Sequence, residues 1–223
     1  MIRLENISKT YILQGQHKVV ADNINVTFPT GQSVALLGRN GAGKSSLLRM
    51  IAGTMNPDSG QVISTGTISW PVGFSGSFHG DLSGAQNTRF IARVYGVNTG
   101  SLVEFVQDFA ELGKHFHLPF RTYSAGMRAR LAFGVSMGIR FDTYLVDEVT
   151  AVGDAEFKTK SRLVFAERMR ESGAIVVNHS MRMVRRLCQA GAVLEQGQLT
   201  YYDDLEQAIA HHQANTGGDP DDD

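Results

Sequence analysis

The residues from Gly38 to Ser45 have the types and spacing to hold a triphosphate: Gly38-Arg39-Asn40-Gly41-Ala42-Gly43-Lys44-Ser45 fits the pattern of a phosphate-binding loop. A triphosphate crowds negative charge and must be met by many donors at once. Glycines let the backbone curl close to the phosphates, because no Cβ stands in the way. The loop then presents a row of N–H groups, reinforced by the positive end of the helix that follows. Lys44 would reach the β- and γ-phosphates, and Ser45 would offer its hydroxyl to Mg²⁺. With Ser46, these residues are the nucleotide-binding candidates of the chain.

Two further constellations fit beside the loop. In Phe141-Asp142-Thr143-Tyr144-Leu145-Val146-Asp147-Glu148 an apolar strand ends on two acids. Asp147 falls at the C-terminal end of that strand, where open α/β sheets bind ligands. It would hold Mg²⁺, directly or through water, and Glu148 would be free to polarise an attacking water. Alone, such a pair equally suits a helix cap; the phosphate loop about a hundred residues upstream favours the chemical reading. In Tyr123-Ser124-Ala125-Gly126-Met127-Arg128-Ala129-Arg130, a Ser and a Gly stand where a helix begins. That describes an ordinary N-cap and also a second anion site.

The elements that must position these groups are legible in outline. Ser33 to Leu37 reads as a short buried strand feeding the loop, and Ser46 to Ala52 as a helix with Leu47, Leu48 and Ile51 on one side. Ile2, Leu4, Ile24, Val26 and Phe28 alternate with polar residues, so the first thirty residues read as antiparallel strands, with Tyr11 between them. Pro29-Thr30-Gly31 and Asn56-Pro57-Asp58-Ser59-Gly60 are turns, and Val62 to Trp70 is β-like. From Asp81 the pattern changes to helical spacing, with Phe90, Ile91 and Val94, then Leu102, Phe105, Val106, Phe109 and Leu112, then a helix over Ala125 to Gly138. Its phenylalanines read as core.

After residue 138 the β/α alternation returns. Strands are expected at Tyr144 to Val146 and Ala174 to Asn178, helices over Phe157 to Glu171 and Met181 to Leu187, and a small hairpin over Ala192 to Tyr201. Asp203 or Asp204 would cap a last helix to His212, followed by a disordered acidic tail over 214–223.

Composition narrows the class. At 223 residues, with 42% hydrophobic and 19% charged residues, the chain has the makings of a globular core. A formal net charge of −1 argues against nucleic acid as the partner. Cys188 is the single cysteine, which leaves no internal disulfide. The N-terminus lacks an apolar signal core, and no apolar run approaches the ~18 residues of a membrane span. His79, His115 and His117 have no ligand spacing around them and read as surface or packing residues. Arg128 and Arg130 read as solvated or subunit-facing.

The order of phosphate loop, helical insert, Ser-x-Gly helix start, Asp-Glu strand and late His resembles the nucleotide-binding subunit of ABC transporters, from about residue 2 to 212. Tyr123-Ser124-Ala125-Gly126-Met127 looks like a variant of the family signature, usually Leu-Ser-Gly-Gly-Gln. Ala151-Val152-Gly153-Asp154 looks like the loop that signals between subunits. His179 looks like the switch histidine, and Tyr11 like the aromatic that stacks on adenine. The resemblance implies one nucleotide-binding domain over 1–213, with a RecA-like P-loop NTPase core (1–80 and 139–213), an N-terminal antiparallel β-sheet and an inserted α-helical subdomain (81–138). It further implies ATP and Mg²⁺ as ligands, Glu148 and His179 as catalytic residues, and Ser45 and Asp147 at the metal. Ser124, Ala125, Gly126 and Met127 would serve the ATP of a second copy, with Asp154 signalling across the dimer.

One departure concerns the Gln that the family usually carries after the strand at Ile68 to Val72; that position holds Phe74, beside Gly73. The stretches Ser69 to His79 and Tyr123 to Leu131 resemble the ATP-binding subunits that export bacterial capsular polysaccharide. The expected partners are therefore a second ATPase subunit and an integral membrane permease, with no nucleic acid. The expected place is the cytoplasmic face of the bacterial inner membrane, with membrane contact through the permease. The O-antigen and teichoic-acid exporters are the near alternatives. Many O-antigen ones append a carbohydrate-binding domain, which a chain of 223 residues is expected to lack. Soluble ABC ATPases of DNA repair carry a long coiled coil and those of translation a second cassette, and neither pattern occurs here. A metabolite kinase would not need the Ser-x-Gly element or the late His.

Overall fold

The computed structural model describes residues 1–13, 15–74, 76, 78–148 and 154–216. In chain order the elements are β1 (Ile2–Leu13), β2 (Gln16–Phe28), β3 (Ser33–Leu37), α1 (Lys44–Ile51), β4 (Ser59–Ser64), β5 (Ile68–Pro71), α2 (Gly84–Val94), α3 (Thr99–Ala110) and α4 (Ala125–Gly138). There follow β6 (Thr143–Asp147), α5 (Ala155–Glu171), β7 (Gly173–Val177), α6 (Met181–Leu187), β8 (Ala190–Glu195), β9 (Gln198–Tyr202) and α7 (Leu205–Thr216). They group into two compact units. The first comprises Met1–Pro71, Phe141–Glu148 and the chain from Met169 on; the second comprises Val72–Arg140 and Val149–Arg168.

The first unit holds two sheets. β2-β1-β4 is antiparallel, and β5-β6-β7-β3-β8-β9 is parallel except for the β8–β9 hairpin. β3 and β7 are buried along their whole length, as continuous apolar runs covered on both faces must be. One core joins the sheets: Ile2, Leu4, Ile24 and Phe28 from the antiparallel sheet, Val34 and Leu36 from β3, and Leu47, Leu48 and Ile51 from α1. α1 is thus held by its apolar side, and its N-terminus takes its position from that packing.

The expected β-like stretch from Val62 to Trp70 is two strands in different sheets: β4 pairs with β1, and β5 with β6. The break at Thr65 to Thr67 has a local cause. Asp142 accepts from both the Thr67 amide and its hydroxyl (2.8 Å each), which pulls the chain out of the first sheet and into the second. Tyr11, expected between strands, lies on β1 opposite Lys18. α7 continues to Thr216, into residues read from sequence as tail, because Asn215 Nδ2 donates to Glu195 Oε2 at the end of β8. Residues 217–223 lie outside the described ones.

The second unit is helical, and takes in most of α5 besides the stretch from 81 to 138. The phenylalanines of that stretch are core, with the exception of Phe90, expected in the core from its helical spacing but 55% exposed on α2. Phe109 stacks with Phe105 (5.7 Å) and Phe133 (5.8 Å), and meets Phe157 edge-on (5.2 Å). Ser83 caps α2 in a capping box with Gln86. Asn87, only 1% exposed, ties the preceding loop to the same helix. Its Oδ1 accepts from the His79 amide (2.8 Å), and its Nδ2 donates to the carbonyls of His79 (3.1 Å), Leu82 (3.2 Å) and Ser83 (3.1 Å).

An Asn87→Leu chain leaves the His79 amide without its partner and strips the side-chain donor from the carbonyls of His79, Leu82 and Ser83, which keep only their backbone donors. Urea unfolding is expected to show a loss of about 2–4 kcal/mol. Gln86→Ala, which removes an exposed half of the capping box, is expected to lose less than about 1 kcal/mol. Equal losses from the two changes would show that Asn87 does not organise the loop.

Candidate nucleotide site

The phosphate loop is fastened at both ends by contacts that only glycine permits. Gly38 leaves β3 with φ 151, and a Cβ there would lie 2.4 Å from the Leu194 carbonyl oxygen on β8. Gly43 has φ 111, and its Cβ would lie 2.7 Å from Cβ of Val20 on β2. At these two positions the close neighbour is protein, so the glycines are required by packing as well as by any approach of phosphate. Gly43 is also the N-cap of α1, where no side chain caps the helix and no acid occupies the first turn. The first N–H groups of a helix have no intrahelical partner. Here they are left for an anion.

Lys44 bends back over the loop, and its Nζ donates to the carbonyls of Gly38 (2.5 Å) and Arg39 (3.2 Å). Burial pushes its ammonium below the usual lysine pKa, while the Glu148 and Asp147 carboxylates pull in the opposite direction. The loop borders a cavity of about 390 Å³ whose walls include Tyr11, Lys18, Lys44, Ser45, Ser46 and Glu148. The Tyr11 hydroxyl lies 3.1 Å from Ser46 Oγ and donates to Met55 Sδ at 3.1 Å, which fixes the ring beside the start of α1.

β6 delivers the acids. Asp147 ends the strand in register with Val177 of β7. Glu148 then takes φ 47, a left-handed conformation that costs a non-glycine residue on the order of 1 kcal/mol. Its amide donates to the Val177 carbonyl (2.9 Å), which holds that turn. His179, just past β7, places Nε2 2.9 Å from Glu148 Oε1. Sequence order alone puts these two residues about thirty positions apart; the parallel β6–β7 pair brings them together. Ser45 and Asp147 offer a hydroxyl and a carboxylate, the hard oxygen donors that suit Mg²⁺.

The remaining candidates belong to the second unit. Ser124 Oγ accepts from the Met127 amide (3.2 Å), so it caps α4. Ser124, Ala125 and Gly126 are exposed, and a Cβ on Gly126 would meet nothing within 4 Å. Asp154 caps α5 through the Phe157 amide (3.0 Å) and pairs with Arg130 (2.6 Å). The Phe157 amide first, and Arg130 after it, hold the Asp154 carboxyl below the usual range. Of the two expectations for Arg130, solvated or subunit-facing, the first does not hold, because its side chain is only 18% exposed. Its guanidinium lies 4.4 Å from the Phe157 ring centroid and joins α4 to α5. Residues 151–153 of the expected signalling loop lie outside the described ones. Phe74, at the position of the usual Gln, is 44% exposed and covers Gly76.

Lys18 and Val20 are the wall residues that sequence reading missed. Both come from β2, and only the hairpin register reveals them.

A central parallel strand running into a phosphate loop, with an acid pair at the end of a nearby strand of the same sheet, defines a P-loop NTPase. The sequence profile of the ABC transporter family matches residues 21–151, and the chain belongs to that family. The polysialic acid transport ATP-binding protein KpsT of Escherichia coli is 49% identical over 213 residues, covering 94% of this chain and 95% of KpsT. The capsule polysaccharide export ATP-binding protein CtrD of Neisseria meningitidis serogroup B is 40% identical over 212 residues, covering 95% and 98%. Proteins named for teichoic-acid and O-antigen export are less similar. Among solved structures, the dimeric post-hydrolysis state of the ATP-binding cassette MJ0796, bound to ADP and Pi, superposes with a TM-score of 0.73 at 19% identity. That match covers 92% of this chain and 99% of MJ0796.

Lys44→Ala removes the ammonium from the loop and is expected to weaken ATP binding severely. Glu148→Gln keeps shape but removes the base, so ATP is retained while turnover falls by roughly 10²–10⁴. A Glu148→Gln protein with normal turnover would exclude Glu148 as the base.

Tyr11→Ala is expected to bind ATP several-fold more weakly, from a stacking loss on the order of 1 kcal/mol. Tyr11→Phe keeps the ring and is expected to bind normally. It loses the bonds to Ser46 and Met55, lowering stability by about 0.5–1.5 kcal/mol in urea unfolding. If Phe binds ATP as poorly as Ala, the ring face is not what the nucleotide uses.

Proposed function

We propose that this chain is the ATP-hydrolysing motor subunit of an ABC exporter, that it works as a homodimer on a membrane permease, and that its cargo is capsular polysaccharide. The observation that carries the reading is that the phosphate loop and Glu148 line one cavity, with His179 Nε2 2.9 Å from the Glu148 carboxylate. The names of KpsT and CtrD support the cargo. No helix among the described residues is long and apolar enough to cross a membrane, in keeping with a permease supplied by another chain.

In this reading the phosphates lie on the loop amides and Lys44, and the adenine against Tyr11. Mg²⁺, held through Ser45 and Asp147, supplies charge neutralisation at the phosphates. Glu148 takes the proton of the attacking water. His179, 2.9 Å from that carboxylate, holds it in place. A general base within hydrogen-bond reach of a positioning partner is the arrangement that water activation requires. Gly126 supports a sandwich of two chains. It stands in the first turn of α4, and among the described residues nothing lies within 4 Å of a Cβ built on it. Close approach by a second copy's nucleotide gives that glycine a use, with Ser124 beside it.

The test is a crosslink. Cys188 is buried, and burial pushes its thiol up to about 12, so it does not compete at neutral pH. Cysteines placed at Ser124 and at Asn40 are expected to join between chains, and more so with ATP in a Glu148→Gln background. A crosslink within a monomer would overturn the sandwich. For the wider assignment, the chain is expected to co-purify with a membrane protein encoded beside capsule-synthesis enzymes; co-purification with nucleic acid instead would count against transport.

A further inference from the structure

We propose that Lys18 is a second phosphate-binding cation of the nucleotide site, contributed by the N-terminal hairpin rather than by the phosphate loop. The inference rests on the nucleotide-site reading above. Lys18 stands directly opposite Tyr11 in the β1–β2 register. Residues opposite each other in an antiparallel pair share a face of the sheet. The hairpin thus carries an aromatic and an ammonium to one place, and both line the cavity of about 390 Å³ beside the loop.

The ammonium is close to the loop itself. Lys18 Nζ would lie 3.2 Å from a Cβ on Gly41, and it is the sole group within 4 Å of that point. Gly41 has φ 78, so the loop's midpoint is bare backbone turned toward a cation. Three of the other five lysines are engaged, Lys9 with Asp58, Lys160 with Glu111 and Lys44 with the loop carbonyls, and neither of the remaining two, Lys114 and Lys158, lines this cavity. The Lys18 ammonium has no ion pair or hydrogen bond with any described residue. A cation over a phosphate loop, with no carboxylate to satisfy it, fits an anion of the phosphate class. Lysine's compact ammonium with three donors suits one or two phosphate oxygens. The geometry gives it the phosphate chain rather than the base, because it borders Gly41 and the base is expected at Tyr11.

Binding of a non-hydrolysable ATP analogue to the full chain, measured by calorimetry at low and high salt, tests this. Lys18→Ala and Lys18→Gln are expected to weaken binding by about three- to tenfold at low salt. Lys18→Arg is expected to stay within about twofold, and the deficit of the Ala chain is expected to shrink at ~1 M salt as screening removes the charge term. Wild-type affinity in Lys18→Ala at low salt would overturn the proposal. So would an Arg chain as weak as the Ala chain, or a deficit untouched by salt, since either result means a role in hairpin shape. Lys44→Ala is the control. If it binds like the wild type, the nucleotide-site reading itself fails. If it loses binding while Lys18→Ala does not, only the assignment of Lys18 fails.

Discussion

The structure of the first unit depends on how tightly the phosphate loop is wedged between two strands. Gly38 presses on the Leu194 carbonyl of β8 and Gly43 on the Val20 side chain of β2. These contacts come from different sheets, so the loop is positioned by the parallel sheet at one end and by the antiparallel hairpin at the other. A methyl group at either position would have to displace backbone or a strand residue. The loop's amides can then face an anion without moving, which is what a preorganised anion site needs. α1 completes the arrangement, because its buried Leu47, Leu48 and Ile51 lock its uncapped end against the same core.

The second unit shows that a motif's sequence pattern and its structural duty are separate matters. Ser124 caps α4, as Ser83 caps α2 and Ser180 caps α6. The cap by itself therefore carries no functional information. Among these three serine-capped helices α4 has a glycine two residues on from the cap, and no described residue lies within 4 Å of a Cβ built there. Asp154 is comparable: its bonds to Phe157 and Arg130 give it a structural duty whatever it does between subunits.

The motifs were legible in the sequence because each is short and its chemistry needs a fixed spacing. Ser33 to Leu37, the loop and α1 followed from local rules, and so did α4 and α6. Contacts that depend on register were hidden. The β1–β2 pair shifts register between Leu4 and Ile7, between Ile7 and Lys9, and between Lys9 and Thr10. Alternation counted from Phe28 therefore does not predict which residue faces Tyr11. That the β-like stretch from Val62 to Trp70 divides between two sheets was not legible, because Asp142, far along the chain, holds Thr67 at the switch. The Glu148–His179 contact was likewise invisible, being made by strand pairing across about thirty residues. The Arg130 contacts were hidden in the same way, because Asp154 and the Phe157 ring lie beyond its own helix.

The open side of the site bears on how the chemistry is completed. The Glu148 side chain is 52% exposed and that of His179 61%. A carboxylate so placed is well solvated, and bulk water competes both for it and for any phosphate beside it. Excluding that water strengthens every electrostatic contact in a site. Within the first unit the loop, α1 and the hairpin wall one side of a nucleotide, and the carboxylate–imidazole pair stands at the rim. On the proposed dimeric reading a second copy would supply the missing wall through the exposed start of its α4. On that reading the site would be complete only when two chains meet over ATP, and hydrolysis and association would be linked by geometry: the proposed base would act where the partner has removed the solvent.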